Sequence, residues 1–357
     1  MPDLPLATWL GRVAGVEGQP LPPALAAWES RNNRLAWMGL AADGFAEAVR
    51  AARLRYGSDR IALVLGTSTA SIGASEEAYR NLEPDGQFPP HLRQPILHAP
   101  HALADFVQHA LELHGICVTV ATACSSSAKV FAQAERLLRT GLADAAVVGG
   151  VDSLCGSVLF GFNSLELVSP EPCRPFDPDR RGLSLGEAAG FALLERDGPA
   201  GPWLLGYGES SDAHHMSSPH PEGLGARIAI RDALDRAGLG ANDIDYINLH
   251  GTASQKNDAT EALVVADLFP ATTRASSTKG WTGHTLGAAG ILEAVITWLA
   301  MDAGFTPGTL NSRALAAECG PQIRLENEAA ELRFTLSHSF GFGGSNCVLA
   351  FGRERPA

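Results

Sequence analysis

The sequence has few positive charges, and very few of them are lysines. Its 357 residues contain 27 Lys and Arg against 39 Asp and Glu, which gives a formal net charge of −12 at pH 7. Its only lysines are Lys129, Lys256 and Lys279. Binding to nucleic acid requires clustered positive charge on one surface. The charge balance therefore argues against a nucleic acid partner.

Paired cysteines and long apolar runs are also lacking. Six cysteines are scattered without a CxxC pair, so the sequence indicates neither a disulfide framework nor a zinc site. No run approaches the ~20 apolar residues that cross a bilayer. The N-terminus lacks the basic and then apolar order of a secretory signal. We therefore predict a cytoplasmic protein without a membrane span or a bound metal.

The composition is that of a folded protein with a large core. Hydrophobic residues make up 45% of the chain, charged residues 18%, and 38 residues are glycine. This excludes intrinsic disorder and a small stapled scaffold. The length predicts two domains, or one fold built from two similar halves. We place the boundary between residues 1–195 and 196–357.

Strands apolar throughout alternate with helical patterns along the chain. The runs 61–66, 117–122 and 145–151 are typical of strands covered on both faces. Such an alternation predicts an α/β fold with a mostly parallel sheet between layers of helices. The predicted helices cover residues 34–55, 101–113, 125–139, 224–237 and 286–301. Further strands are predicted at 244–249, 332–337 and 347–351, and no structure is assigned to the first twenty residues of the Pro-rich segment 1–30.

Cys124 is the first candidate for chemistry. In the segment TACSSS it follows a predicted strand and opens a helix. Free N–H groups and the positive end of the helix dipole at that position favour a thiolate, so we expect a lowered pKa and a nucleophilic sulfur. A small buried core cysteine is the alternative.

Three other segments place polar or glycine residues where strands end. His250 follows a strand in NLHGT, and Lys279 and His284 lie in STKGWTGHTLGAAG. In α/β sheets, functional sites gather at the carboxyl ends of strands. The turn SFGFGGSN, with Phe342 and Gly344, can direct backbone N–H groups toward a developing oxyanion.

Together and in this order, the four segments resemble the β-ketoacyl-acyl-carrier-protein synthases, the elongating condensing enzymes of the thiolase superfamily. The resemblance covers roughly residues 34–352. It implies a thiolase-like five-layer α/β/α/β/α fold made of two pseudo-equivalent halves. Members usually begin with a strand before the first helix, which residues 1–30 do not resemble, so we expect the first sheet to lose or rebuild an edge strand. His338 stands where relatives often carry Asn.

The resemblance also implies a role for each motif residue. Cys124 would carry the acyl group, and its backbone N–H and that of Phe342 would form the oxyanion hole. His250 and His284 would polarise the malonyl thioester as it loses carbon dioxide. Lys279 would orient His284, and Phe342 would also act as a gate.

The remaining implications concern supporting residues and substrates. Supporting positions are Asn248, Glu261, Glu293 and Gly344, and in some relatives the first three lie near a structural cation or an ion-paired network. No cofactor is required for the chemistry, because substrates arrive on the phosphopantetheine of an acyl carrier protein.

Partners and pathway follow from the same resemblance. We expect a homodimer, or a heterodimer with a related ketosynthase subunit, with the strand 145–151 pairing across a two-fold axis. Fatty acid and type II polyketide or polyene biosynthesis both stay open. The main alternative is a chain-length-factor-like partner subunit with little activity of its own, although such subunits usually lack the cysteine. A thiolase acting on CoA esters and an unrelated cysteine hydrolase are further alternatives.

Overall fold

The structure is a computed structural model that describes residues 6–196 and 201–356. Residues 1–5, which begin the segment without predicted structure, lie outside the described residues. The elements of the first half are β1 Leu10–Gly11, α1 Arg31–Ala41, α2 Phe45–Tyr56, β2 Ile61–Gly66, α3 Ile72–Arg80, α4 Ala102–Ala110, β3 Cys117–Val120, α5 Ser126–Arg139, β4 Ala145–Asp152, α6 Gly156–Ser164, β5 Leu185–Gly186 and β6 Ala188–Glu195. Those of the second half are β7 Trp203–Ser211, α7 Leu224–Ala237, β8 Tyr246–Asn248, α8 Gln255–Leu268, β9 Arg274–Ser276, α9 Lys279–Thr282, α10 Ala289–Ala303, β10 Phe305–Thr306, β11 Glu328–Ala329, β12 Phe334–Gly341 and β13 Ser345–Gly352.

Two mixed sheets form the framework. The first has the strand order β3-β2-β4-β6, with β2 parallel to β3 and β4, and β6 antiparallel to β4. The second has the order β7-β13-β12-β8-β9. β2 and β4 of the first sheet are buried along their whole length, which explains why their residues, apart from Asp152, are apolar or glycine.

Helices α5 and α10 pack between the two sheets. Phe131 and Ala134 of α5, with Ile291 and Ala294 of α10, belong to one core cluster with strand residues from both sheets. Helices α1 and α4 cover the outer face of the first sheet, and α7 and α8 that of the second. The layers confirm the predicted thiolase-like α/β/α/β/α fold of two similar halves. The boundary at residue 195 stays a prediction.

The segment Leu286–Ala303 is long and apolar enough to cross a membrane by length and composition alone. Of this segment, 61% is buried inside the protein. It includes α10, whose position between two sheets accounts for its apolar character. A core helix passes the same test, so the segment is weak support for a membrane span.

The first sheet has one strand fewer than the second. In the second half β7 lies beside β13, whereas within the described residues no strand lies on the corresponding side of β6. Residues 6–30 instead form the two-residue strand β1, paired with β5, and short 3-10 turns. The expected change in the edge of the first sheet is therefore present.

Two expectations about elements were wrong. The predicted helix 34–55 is divided into α1 and α2, because Asp43 and Gly44 have positive φ values of 54° and 73°. The strand 145–151, now β4, cannot pair across a two-fold axis, because β2 and β6 occupy both of its edges. Its apolar sequence reflects this central place, and the half-buried β3 is the edge strand next to β2.

Candidate active site

The structure brings Cys124, His250 and His284 together. The Cys124 sulfur lies 3.0 Å from His284 Nε2, and the two imidazole rings are 5.4 Å apart between centroids. One ligand-type atom from each residue falls within 4.8 Å of the others. None of the three side chains is more than 4% exposed. They belong to segments more than 30 residues apart in sequence, so the fold alone makes them neighbours.

A strained turn presents Cys124 at the end of β3. Ala123 has a φ of 53° and directly precedes the cysteine. The serines of the TACSSS motif hold this turn: Ser126 Oγ donates to Ala123 O at 2.6 Å, and Ser125 Oγ donates to Thr122 O at 2.9 Å. The polar start of α5 thus supplies the hydrogen bonds that keep an unfavourable backbone conformation.

The expected lowering of the Cys124 pKa was wrong. Burial raises the pKa of this thiol to about 11. A hydrogen bond from the backbone N–H of Phe342 and the charge of Lys279 act in the opposite direction but do not overcome desolvation. The sulfur is therefore a thiol at neutral pH and has to lose its proton as it attacks.

His250 is held by its backbone and by Lys279. The Glu261 carboxylate accepts hydrogen bonds from His250 N at 2.9 Å and from Gly251 N at 2.8 Å. Lys279 Nζ lies 2.6 Å from His250 O and 3.4 Å from His250 Nδ1. With an ammonium donor beside Nδ1, the ring proton belongs on Nε2.

The expectation that Lys279 orients His284 was therefore wrong. Lys279 opens the short helix α9 and points to His250, and it forms a buried ion pair with Glu293 of α10. Burial raises the pKa of Glu293 to about 7, and the charge of Lys279 opposes that rise. His284 Nδ1 is buried and has no hydrogen-bond partner among the described residues.

Both histidines are neutral at physiological pH. Burial lowers the pKa of His250 and of His284 well below the usual value, and the charge of Lys279 lowers both further. A neutral imidazole donates one hydrogen bond and accepts another. The pair can therefore donate to an oxygen that gains negative charge, or receive a proton.

The predicted supporting residues form a polar layer behind these rings. Glu261 also accepts from His338 Nδ1 at 3.1 Å, so His338 takes part in holding the His250 backbone. Asn248 Nδ2 lies 3.4 Å from Glu293 O. The layer is an ion-paired network of the kind the resemblance implies.

The Gly-rich turn closes the site from the other side. Gly343 and Gly344 have φ values of 77° and 76°, which only glycine adopts readily. A Cβ on Gly344 would stand 2.8 Å from Asp212 Cβ. The turn directs the Phe342 N–H at the Cys124 sulfur, as an oxyanion hole requires.

Some residues of the site carried no recognisable motif. Phe162 of α6 stacks on Phe342 with 5.4 Å between centroids and meets the His284 ring edge to face at 6.4 Å. It lies in an apolar stretch whose sequence resembles any core helix. A cavity of about 530 Å³ opens onto the cysteine and both histidines. Its other lining residues include Phe162, Leu165, Leu167, Leu183, Thr252, Ser254 and Phe342.

Two further features lie outside this cavity. Cys347 lies in β13 with no exposed surface and belongs to the core between the sheets. A larger cavity of about 1130 Å³ lies beside β6 and β7, and no predicted site residue lines it.

Cys124, His250 and His284 also form the single group in residues 6–196 and 201–356 with three possible metal ligands close enough for one ion. The ammonium of Lys279 beside His250 disfavours a cation at that ring. The absence of a metal stays a prediction.

Comparison with known families identifies the class. A model of the β-ketoacyl synthase N-terminal domain matches residues 34–200, and one of the β-ketoacyl synthase C-terminal domain matches residues 203–313. The chain therefore belongs to the β-ketoacyl synthase family, a class of condensing acyltransferases.

Individual relatives agree with this assignment. Nodulation protein E of Rhizobium meliloti is 34% identical over 313 residues, which cover 84% of this chain and 75% of that protein. The mitochondrial 3-oxoacyl-[acyl-carrier-protein] synthase of Arabidopsis thaliana is 37% identical over 252 residues, or 64% of this chain and 55% of that protein.

Solved structures give the same result. The structure of a ketosynthase in complex with its chain length factor from Xenorhabdus doucetiae matches with a TM-score of 0.88 and 38% identity, covering 96% of this chain and 86% of the matched one. A β-ketoacyl synthase from Burkholderia phymatum matches with a TM-score of 0.86 and 30% identity, covering 94% and 86%.

Proposed function

We propose that the protein is a β-ketoacyl-acyl-carrier-protein synthase. It joins an acyl group held on Cys124 to a malonyl group on an acyl carrier protein with loss of carbon dioxide, in fatty acid or type II polyketide or polyene biosynthesis. One observation carries the proposal: a buried thiol and two neutral imidazoles lie within 4.8 Å of one another. Acyl transfer needs the first, and enolate stabilisation needs the other two.

The first half of the reaction loads Cys124. Its sulfur attacks the thioester carbon of an acyl carrier, and the oxyanion accepts hydrogen bonds from the backbone N–H groups of Cys124 and Phe342. His284 Nε2, 3.0 Å from the sulfur, receives the thiol proton and passes it to the departing carrier thiolate. A new carbon–sulfur bond replaces the old one, and no charge is left behind.

The second half extends the chain. The malonyl carboxylate leaves as carbon dioxide, and its electron pair forms an enolate. The enolate oxygen accepts hydrogen bonds from Nε2–H of His250 and from Nε2–H of His284, whose ring proton moves from Nδ1 to Nε2 by exchange with water after the loading step. The enolate carbon then attacks the acyl carbon, the bond to sulfur breaks, and the thiolate takes a proton from water. Lys279 keeps the His250 proton on Nε2, because it occupies the side of Nδ1.

Substrates reach the site on phosphopantetheine arms, and the reaction needs no metal or other cofactor. The phosphopantetheine arm enters through the cavity of about 530 Å³. We place the protein in the cytoplasm, where an acyl carrier protein delivers both substrates.

The chain acts as a dimer, either with itself or with a related subunit. In the part of the chain that the structure describes, no strand pairs with the outer edge of β3, which leads to Cys124, so β3 suits antiparallel pairing with a second subunit. A second candidate function is that of a chain-length-factor-like subunit in a heterodimer. The similarity to the Xenorhabdus doucetiae ketosynthase and chain length factor complex supports this second candidate. The complete set of Cys124, His250, His284 and Lys279 favours an active subunit instead.

Intact-protein mass tests the proposal. The protein is incubated with acyl carrier proteins bearing chains of several lengths, with Cys124→Ala alongside. A gain of one acyl group in the wild type only supports an active synthase and ranks its primers. A folded dimer that gains no acyl group contradicts it and favours the partner-subunit function.

A further inference from the structure

Asp152 is a buried carboxylate that the mechanism above does not use. It ends β4, next to the site, and has no exposed surface. Five donors from two separate segments reach it at 2.5 to 3.0 Å. They are Thr67 Oγ1, Ser68 N, Thr69 N, Thr69 Oγ1 and Gly287 N. A carboxylate that accepts hydrogen bonds from two segments holds those segments together.

One of these segments leads to the nucleophile. Ser68 N donates to Asp152 Oδ2 at 2.9 Å, and Ser68 Oγ donates to Ala123 O at 3.2 Å. Ala123 is the residue with a φ of 53° directly before Cys124. The strained turn that presents the sulfur is therefore fastened to Asp152 through one serine.

The other segment leads to His284. Gly287, three residues further on, donates its N–H to Asp152 Oδ2 at 2.6 Å. Leu286 between them has a positive φ of 59°, so this turn is strained too. A Cβ on Gly287 would stand 2.6 Å from Ser68 N and 2.7 Å from Asp152 Oδ2. The two loops meet at one carboxylate with no room for a side chain.

We propose that Asp152 is a positioning residue that sets the separation of Cys124 and His284. It touches neither substrate nor the reacting atoms, and it acts by holding the two strained turns that carry them. Its negative charge has a second effect, because it disfavours the Cys124 thiolate and raises the pKa of that thiol. The expected effect on acyl transfer rests on the proposed function, whereas the effect on the thiol does not.

Asp152→Asn separates these effects from simple damage. The amide NH2 of asparagine cannot accept a hydrogen bond. Whichever way it faces, the hydrogen bond from Gly287 or those from the Thr67–Thr69 turn are lost. We expect transfer of the acyl group from carrier to Cys124 to slow by about 10- to 100-fold, since misplacement by about 1 Å can cost 100-fold. The pH midpoint for alkylation of Cys124 by iodoacetamide, followed by peptide mass, should move to lower pH. Asp144→Asn, directly before the first residue of β4, is the matched control and should change neither the transfer rate nor the alkylation midpoint.

Gly287→Ala tests the geometry without removing the charge. The added methyl group pushes the His284 turn away from Ser68, so acyl transfer should slow while the alkylation midpoint stays at the wild-type value. Gly161→Ala, where a Cβ meets nothing within 4 Å, is the control. If Asp152→Asn does not fold, Gly287→Ala tests the proposal on its own.

The proposal is overturned if folded Asp152→Asn or Gly287→Ala transfers acyl groups within twofold of the wild-type rate. It is also overturned if the alkylation midpoint of Asp152→Asn stays in place or rises. If the wild type itself accepts no acyl group, the proposed function fails, and the alkylation midpoint still decides the influence of Asp152.

Discussion

The chemistry begins with the proton of a single residue, Cys124. Its pKa lies near 11 because the sulfur is buried, so almost no thiolate exists at pH 7. His284 Nε2, 3.0 Å away, is a neutral base within hydrogen-bond distance. The site therefore favours removal of the proton during attack over a thiolate formed beforehand.

This has a direct consequence for the pH dependence of alkylation. A raised cysteine pKa means that the thiolate fraction grows about tenfold for each pH unit below that pKa. The rate of Cys124 alkylation by iodoacetamide should therefore rise from pH 7 to pH 10 without a plateau, as measured on the peptide that contains Cys124. A plateau near pH 7 would show an activated thiolate instead.

Removing the charge of Lys279 should affect stability and decarboxylation separately. Lys279→Met leaves Glu293 buried without its partner, which costs about 3 kcal/mol of unfolding free energy, the range for a broken buried pair. The double variant Lys279→Met, Glu293→Gln should recover most of this loss in urea unfolding. Malonyl decarboxylation should fall roughly 10- to 100-fold in both variants, because the tautomer of His250 is no longer set.

Lys129→Met, which removes the partly buried lysine beside Glu209, is the control. It should lose little stability and no decarboxylation. Full decarboxylation by the double variant would mean that Lys279 has only a structural role.

The sequence was informative for residues that end strands and not for their contacts. Cys124 and His250 each follow an apolar run, and His284 lies in a Gly-rich segment after the short strand β9, so position and residue type together predicted them. The choice of His250 over His284 as the partner of Lys279 depends on how α9 turns, which no spacing reveals. Phe162 and Asp152 reach the site from segments whose local patterns are those of core elements.

Among the secondary-structure elements, the crossing of α5 and α10 supports the site most directly. Ser127 Oγ accepts from Ile291 N at 2.9 Å, and Gly290 lies against the Ala128 backbone. The nucleophile precedes the first of these helices and His284 precedes the second. The close approach of the two helices therefore brings their N-terminal residues together.

Gly290→Ala should force these helices apart. The added methyl group would clash with the backbone N of Ala128, and overpacking of a core typically costs about 1–3 kcal/mol. We expect a lower urea midpoint and slower acyl transfer to Cys124. Gly161→Ala, in open space on α6, should change neither quantity. Unchanged stability in Gly290→Ala would contradict the tight crossing.

Apolar patterns predicted where the strands lie in the sequence, but not which strands are adjacent in the sheet. β2 and β4 lie where the sequence places them, because runs covered on both faces need no polar residues. The same pattern cannot show which strand is at an edge. The sequence pattern therefore favours β4 as the strand that pairs with a second subunit, whereas the half-buried β3 lies at the edge of the sheet.

The molecule as a whole consists of two similar halves that differ at their edges. The order of layers could be predicted from the alternation of elements and from the family resemblance. Only the assembled sheet shows that, among residues 6–196 and 201–356, no strand lies beside the outer edges of β6 and β3. These strand edges can pair with a strand of a second subunit, so they mainly affect dimer formation.

Thr119→Pro tests whether β3 is the subunit contact. The carbonyl of Ile116 accepts from Leu63 N in β2, and that of Val120 accepts from Thr67 N directly after β2, so the backbone N–H of Thr119 faces outward. Proline removes an outer-edge N–H, and the variant should be a monomer by light scattering after size exclusion. Thr119→Val keeps the N–H and should remain a dimer. Dimers of both variants would contradict pairing through β3.

The most direct measurement of the central claim is the mass of the carrier-bound product. Wild-type protein is mixed with an acyl carrier and a malonyl carrier, and the carriers are weighed after reaction. The account predicts a β-ketoacyl carrier two carbons longer than the primer, absent with Cys124→Ala and strongly reduced with His284→Ala. A folded, dimeric wild-type protein that leaves both carriers unchanged would contradict it.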